Sequence, residues 1–126
     1  MNTLLAIAAG LSLLTTLIHL FGGGPTVAGP LLRSNMPDVP RYTNYYCWHL
    51  VSIVLVAMTI GFYLAARDPA EQTLGIFMTA LAAAFTIWSL ALVQWKQQSF
   101  LQMPQWILFM PIAACGVAGL LSLIHI

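Results

Sequence analysis

Four long apolar stretches, separated by shorter polar segments, constrain the fold of this chain more than any other feature. They cover residues 3–21, 46–66, 73–95 and 105–124. About 20 residues of helix cross the roughly 30 Å hydrocarbon core of a bilayer, and inside lipid the backbone must satisfy its own hydrogen bonds. None of the stretches shows the strict alternation of a lipid-facing barrel strand. The sequence therefore predicts an all-α integral membrane protein, an antiparallel four-helix transmembrane bundle.

The scarcity of charge supports the same fold class. Only 6% of the residues are Asp, Glu, Lys or Arg and 60% are hydrophobic, whereas soluble domains carry roughly 25% charged residues. So few charges cannot cover the surface of a soluble domain, which makes the lipid bilayer the expected surroundings. The net charge of +1 offers no basic patch for nucleic acid, so no nucleic-acid partner is expected. We expect residues 1–126 to form a single transmembrane domain.

The segments between the spans contain residues that usually end helices. Gly22-Gly23-Gly24-Pro25 predicts the end of the first span, followed by a long first connector over residues 22–44 that acts as a lid or as a mobile linker. Arg67-Asp68-Pro69 predicts a tight hairpin with Asp68 as the cap of the next helix. Met103-Pro104 predicts the start of the fourth span.

The basic residues predict an orientation. With four spans, the first and third connectors share one side, which holds Arg33, Arg41 and Lys96, against Arg67 on the other. The positive-inside rule then favours cytoplasmic first and third connectors, in a multi-pass protein typical of a bacterial inner membrane. His125 is expected at the opposite interface. An aromatic belt is predicted on the connector side from Tyr42, Tyr45, Tyr46, Trp48, Trp95 and Trp106.

Each span also carries a stripe of small or weakly polar residues at helical spacing. We predict that these stripes face inward, where they allow close helix packing and interhelical hydrogen bonds. Gly116 and Gly119 lack the GxxxG spacing and predict no specific contact. The stripes are Ser12, Thr16 and His19; His49, Ser52, Thr59 and Tyr63; Thr79, Ala83 and Thr86; and Pro111, Cys115, Gly119 and Ser122.

Two histidines are the main candidates for a functional site. His19 lies near the end of the first span and His49 near the start of the second, so the topology places both at one membrane face. Ionisable groups within a membrane are costly, which makes them functional candidates. A histidine close to the interface can also bond headgroups, water or a free carbonyl without any ligand, and this alternative stays open. The other candidate ligand- or cofactor-binding residues are Thr16, Ser52, Tyr45 and Trp48.

Imidazole chemistry allows three uses of this pair. His19 and His49 can ligate a metal ion, or both axial positions of haem b, with Thr16 or Ser52 orienting a ring. They can pass protons or sense pH. They can also hydrogen-bond a quinone or another carbonyl-bearing lipid.

Catalytic motifs are missing from the sequence. It contains no CxxC, HExxH, Gly-rich phosphate loop or GxSxG element, so no catalytic residue is assigned and an enzyme is not expected. The favoured function is a non-enzymatic accessory subunit of a larger membrane complex, or a self-associating homo-oligomer, that binds a partner or small ligand within the bilayer. Two alternatives stay open: a haem- or metal-binding redox protein using His19 and His49, and a small oligomeric transporter or channel whose polar stripes line a wetted path.

Overall fold

The computed structural model describes residues 1–124, and over that range it contains helices and no strands. The long helices are α1 (Thr3–Leu32), α2 (Asp38–Arg67), α3 (Gln72–Trp95) and α4 (Gln105–Ile124). All four are long and apolar enough to cross a membrane, which indicates a membrane protein. The prediction of four membrane-crossing helices is confirmed at this level, while His125 lies outside the described residues.

Neighbouring helices run antiparallel and close a ring in the order α1, α2, α3, α4. Asn2 joins three of them at one end of the ring. Its backbone N–H donates to the Ala66 carbonyl at 2.7 Å, and its side-chain amide donates to the Gly119 carbonyl at 2.8 Å and the Ser122 hydroxyl at 3.1 Å. Its side-chain oxygen caps the first turn of α1. We call this the Asn2 end, and the opposite end of the bundle the His19 end.

Glycines bring α4 close to two neighbours near the Asn2 end. A Cβ atom on Gly119 would lie 2.9 Å from the Leu5 side chain of α1 and 3.1 Å from the Leu5 backbone nitrogen. Gly116 lies directly against Thr79 of α3. Gly119 belongs to a predicted inward stripe, but the pair was expected to add no specific contact because its spacing is not GxxxG. That spacing describes one interface, whereas here each glycine contacts a different helix.

The core is apolar, and four of its polar side chains form hydrogen bonds within their own helices. Two members of the predicted inward stripes, His49 and Tyr63, are instead exposed. Ser12, Thr16, Thr79 and Thr86 are buried, as predicted. Each hydroxyl, however, donates to the carbonyl four residues earlier, so the predicted interhelical bonds from these four side chains are wrong. Self-satisfied hydroxyls do not call for water, and the transporter alternative stays a prediction. The largest fully buried side chains are Phe62, Leu5, Leu55, Met58 and Ile112.

The predicted end of the first span is wrong, because α1 continues through the glycine-rich segment. The helix is π-helical over Ile18–Ala28 and then α-helical over Gly29–Leu32. In an α-helix the Pro25 ring would clash with the carbonyl one turn earlier, and the wider π turn relieves that clash. Thr26 donates to the Gly22 carbonyl at 2.8 Å and stabilises the same turn.

The long first connector of residues 22–44 is therefore also wrong. The second helix begins at Asp38 rather than at residue 46, and only residues 33–37 connect α1 to α2. Pro37 and Pro40, which suggested a loop, lie at the cap and in the first turn of α2, where a missing N–H costs no hydrogen bond. Neither a lid nor a mobile linker exists in this segment.

The other two connectors agree with the sequence analysis. Asp68 accepts a hydrogen bond from the Ala70 backbone N–H at 2.9 Å and caps the short 3-10 turn Pro69–Glu71 that precedes α3. The fourth helix begins at Gln105, directly after Pro104. These short connectors keep successive helices adjacent, so the ring order follows the chain order.

Candidate functional site

His19 joins α1 to α2 at the His19 end. Its Nε2 atom lies 3.0 Å from the Ser52 hydroxyl and 3.3 Å from the Trp48 carbonyl oxygen. Its ring stacks on the Trp48 indole, with the centroids 3.9 Å apart and the planes 18° from parallel. With the proton on Nε2, the ring donates to Ser52, whose hydroxyl donates in turn to the Trp48 carbonyl at 3.3 Å. We call these three residues the His19 clasp.

A glycine makes room for the clasp. A Cβ atom on Gly23 would lie only 2.6 Å from the tip of the Trp48 indole, so this position admits no larger residue unless the indole moves. The indole therefore lies against the α1 backbone within the π-helical stretch and covers the His19 ring. Gly22-Gly23-Gly24 was predicted to end the helix, so the role of Gly23 beside Trp48 was not predicted. The sequence feature that could have indicated this role is Trp48, a large side chain predicted to lie at the same depth.

His49 contacts a different aromatic ring from the one that His19 contacts. Its ring packs edge-on against Tyr45, one turn earlier in α2, with centroids 4.7 Å apart and planes at 87°. The side chain is exposed. Both histidines lie at the same end of the bundle, as predicted, but the clasp holds one ring and the outer surface of α2 presents the other.

The remaining predicted site residues divide in the same way. Ser52 and Trp48 contact His19, whereas Tyr45 contacts His49. Thr16 does not orient either ring, because its buried hydroxyl donates to the Ser12 carbonyl at 2.8 Å. The structure thus brings together half of the predicted site and shows Thr16 to be part of the α1 core.

The contacts of the His19 ring affect how it could bind haem or a metal ion. The Nε2 atom of His19 is already bonded to Ser52, and Trp48 covers one face of the ring, so ligation through that nitrogen requires the clasp to open. Among residues 1–124, no three His, Cys, Asp or Glu side chains lie close enough together to hold a metal ion. Binding of haem b or a metal ion by His19 and His49 stays a prediction.

A second feature of this end is one face of α2, which changes from buried to exposed toward the His19 end. Ala65, Met58, Val51 and Asn44 follow one another at seven-residue spacing along α2, so they share nearly one face. Ala65 is 2% exposed and Met58 is fully buried, whereas Val51 is 38% exposed and Asn44 is exposed. Cys47, one turn beyond Val51, is also exposed. The bundle core therefore ends on this face between Met58 and Val51.

Helix α3 reaches as far as this face but does not cover it. Gly61 of α2 packs on Met78 of α3, where an added Cβ would lie 2.8 Å from the Met78 side chain. Asn44 lies seventeen residues before Gly61, and Trp95 lies seventeen residues beyond Met78, so the two helices end at similar heights. Asn44, Cys47 and Val51 therefore stay exposed near the end of α3. We call these three residues the open face of α2.

Comparisons of the chain with protein-family models, curated proteins and solved structures find no match. No residue role is therefore transferred from a relative. The assignment of function depends on two features of the His19 end, which are the His19 clasp that holds α1 against α2 and the open face of α2.

Proposed function

We propose that this chain is a non-enzymatic multi-pass membrane module that binds a partner chain or a small ligand within the bilayer, either as an accessory subunit or by self-association. The open face of α2 is the observation that carries the proposal. Met58 and Val51 lie on one face of α2, yet the first is fully buried and the second is 38% exposed. Helix association in lipid depends on close van der Waals packing, so an uncovered inward face is a surface available for another group.

The carboxylates support a non-enzymatic role. Asp38 forms an ion pair with Arg41, and Asp68 caps the turn before α3. Glu71 lies in the first turn of that 3-10 segment, where an acidic side chain complements the helix dipole. Structural roles thus account for all three acidic side chains, and none of them lies beside the His19 clasp.

The proposal includes a location and an orientation. A bacterial inner membrane, with the two connectors of the His19 end in the cytoplasm, is favoured by the positive-inside rule. Arg33, Arg41 and Lys96 support this orientation because they belong to those connectors or to the adjoining helix ends, whereas Arg67 adjoins the opposite connector.

Site-specific photocrosslinking in native membranes tests the proposed function. A benzophenone amino acid at Val51 reports on the open face of α2, and the same amino acid at Ile53 is the matched control, because Ile53 lies two residues away and is 66% exposed. We expect Val51 to give one discrete adduct with a protein or a small molecule, identified by mass spectrometry, and Ile53 to give heterogeneous bulk-lipid adducts. The same heterogeneous adducts at both positions would contradict the proposal.

A further inference from the structure

The connector between α3 and α4, residues 96–104, carries exposed apolar side chains. Leu101 is 79% exposed and Phe100 is 46% exposed. Beyond Lys96 the connector contains no Asp, Glu, Lys or Arg, and its polar residues are three glutamines and one serine. Such a segment can enter a lipid interface without burying a charge.

Hydrogen bonds hold this connector in a defined turn. The backbone N–H of Met103 donates to the Ser99 carbonyl at 3.1 Å, and the backbone N–H of Leu101 donates to the Ser99 hydroxyl at 3.3 Å. Trp106 of α4 donates its indole N–H to the Phe100 carbonyl at 3.0 Å, and the two rings meet edge-on with centroids 6.2 Å apart. Leu101 is therefore exposed on a turn that is tied to α4.

The depth of the start of α4 follows from the contacts of Asn2. Asn2 bonds to the Ala66 carbonyl of α2 and the Gly119 carbonyl of α4, so these two residues lie at one height. Arg67 follows Ala66 directly, which places this height at one edge of the charge-free part of the bundle. From Gly119, α4 extends fourteen residues to Gln105, or about 21 Å. The hydrocarbon core is roughly 30 Å thick, so Gln105 lies no farther out than the opposite lipid interface.

Helix α3 ends farther out than α4 begins. Its 24 residues include no Asp, Glu, Lys or Arg and are about 36 Å long, which is more than the hydrocarbon core requires. Lys96 follows, with its ammonium 4.1 Å from the centroid of the Trp95 ring, an arrangement suited to the headgroup level. The connector therefore runs from the headgroup level at Lys96 back toward the hydrocarbon edge at Gln105.

We propose that the connector of residues 96–104 lies in the lipid interface at the His19 end, with Leu101 and Phe100 inserted among the upper parts of the acyl chains. The turn lies between a residue at the headgroup level and one at the hydrocarbon edge, so lipid rather than water is its neighbour. This surface is separate from the open face of α2, and the inference goes beyond the proposed function.

The connector between α1 and α2, residues 33–37, has different surroundings. From Ala66, α2 extends 28 residues to Asp38, or about 42 Å, so it carries this connector beyond the hydrocarbon core. The connector includes the charged Arg33 and the exposed Asn35. We therefore expect water to surround it, which makes it the matched control.

Fluorescence quenching of the full chain in phosphatidylcholine vesicles tests the inference. An environment-sensitive fluorescent amino acid replaces Leu101 in one protein and Asn35 in the other, because both side chains are exposed and belong to connectors at the same end. We expect the emission from position 101 to be blue-shifted relative to position 35. Lipid brominated in the upper acyl chain should quench position 101 strongly, and aqueous iodide on both sides of the membrane should quench it weakly. Position 35 should show the reverse.

Two results would overturn the proposal. Quenching of position 101 by iodide but not by brominated lipid, or equal quenching of positions 101 and 35 by each agent, would place the connector in water. A benzophenone amino acid at position 101 in native membranes tests for a protein neighbour. Heterogeneous bulk-lipid adducts would support the proposal, whereas one discrete protein adduct would assign this surface to a partner chain instead.

Discussion

The two ends of this bundle are built from the same four helices but differ in the contacts that hold those helices together. At the Asn2 end, one asparagine bonds to α2 and α4, and Gly119 lets α4 approach the backbone of Leu5. At the His19 end, the clasp holds α1 to α2, while the α2 face that is fully buried at Met58 is 38% exposed at Val51. An apolar helix face is thus not sufficient for burial, because burial also requires a neighbouring helix at close range.

The largest test of this comparison is truncation on the shared α2 face. We expect Met58→Ala to lower the free energy of unfolding by about 2–3 kcal/mol, because it leaves a cavity in the packed half. This loss lies in the lower part of the range for replacing a buried methionine by alanine in soluble proteins. Lipid surroundings remove much of the hydrophobic transfer contribution to that loss. The matched change Val51→Ala should cost less than about 1 kcal/mol, because an exposed side chain leaves no cavity. Reversible unfolding in mixed detergent and dodecyl sulfate micelles, followed by circular dichroism, measures both losses. Equal losses would mean that Val51 is packed as tightly as Met58.

A second test addresses the close approach of α4 to α1. Gly119→Ala should destabilise the protein by about 1–2 kcal/mol, because the new methyl group meets the backbone of Leu5, which cannot rotate away. Gly10→Ala is the matched control: an added Cβ there meets nothing within 4 Å, so the higher helix propensity of alanine should leave stability unchanged or slightly raised. The same unfolding titration compares them. A neutral Gly119→Ala would show that the Asn2 end is looser than described.

The smallest expected effect is at the His19 clasp. Ser52→Ala removes a hydroxyl that bonds across to His19 and should cost about 0.6 kcal/mol, the average for interhelical hydrogen bonds in membrane proteins. Thr59→Ser is the control, because its hydroxyl can keep the bond to the Leu55 carbonyl within α2. The tryptophan emission spectrum should shift in Ser52→Ala, as Trp48 is released from His19, and stay unchanged in Thr59→Ser. An unchanged spectrum in both variants would show that Ser52 does not hold the clasp.

Much of the fold could be predicted from local sequence features. Long charge-free stretches predicted the four helices, and Asp68 predicted the cap before α3. The prediction that the first span ends at the glycines and is followed by a long connector was wrong for a physical reason. Glycine and proline end helices where water can bond the free backbone groups, but α1 keeps its hydrogen bonds by widening into a π-helix against α2.

The candidate site could be predicted only in part. The cost of a histidine near a membrane interior singled out His19, and Ser52 lay at the predicted depth. His19 and His49 have different contact partners because of the rotation of α2 about its axis, which determines which of its residues face α1. The role of Gly23 depends on where the Trp48 indole packs, and neither property has a local signature.

The amino-acid sequence by itself determined that this chain forms apolar helices, how many there are, and which end of the bundle carries the basic residues. These properties follow from composition and length, because each span must bury its backbone and leave charge outside. Only the tertiary structure decided that α1 continues to Leu32, that the two histidines contact different residues, and that α2 is covered at Met58 but partly exposed at Val51. Such features depend on the distance and rotation between helices, and these follow from side-chain packing summed over the whole bundle rather than from any single segment.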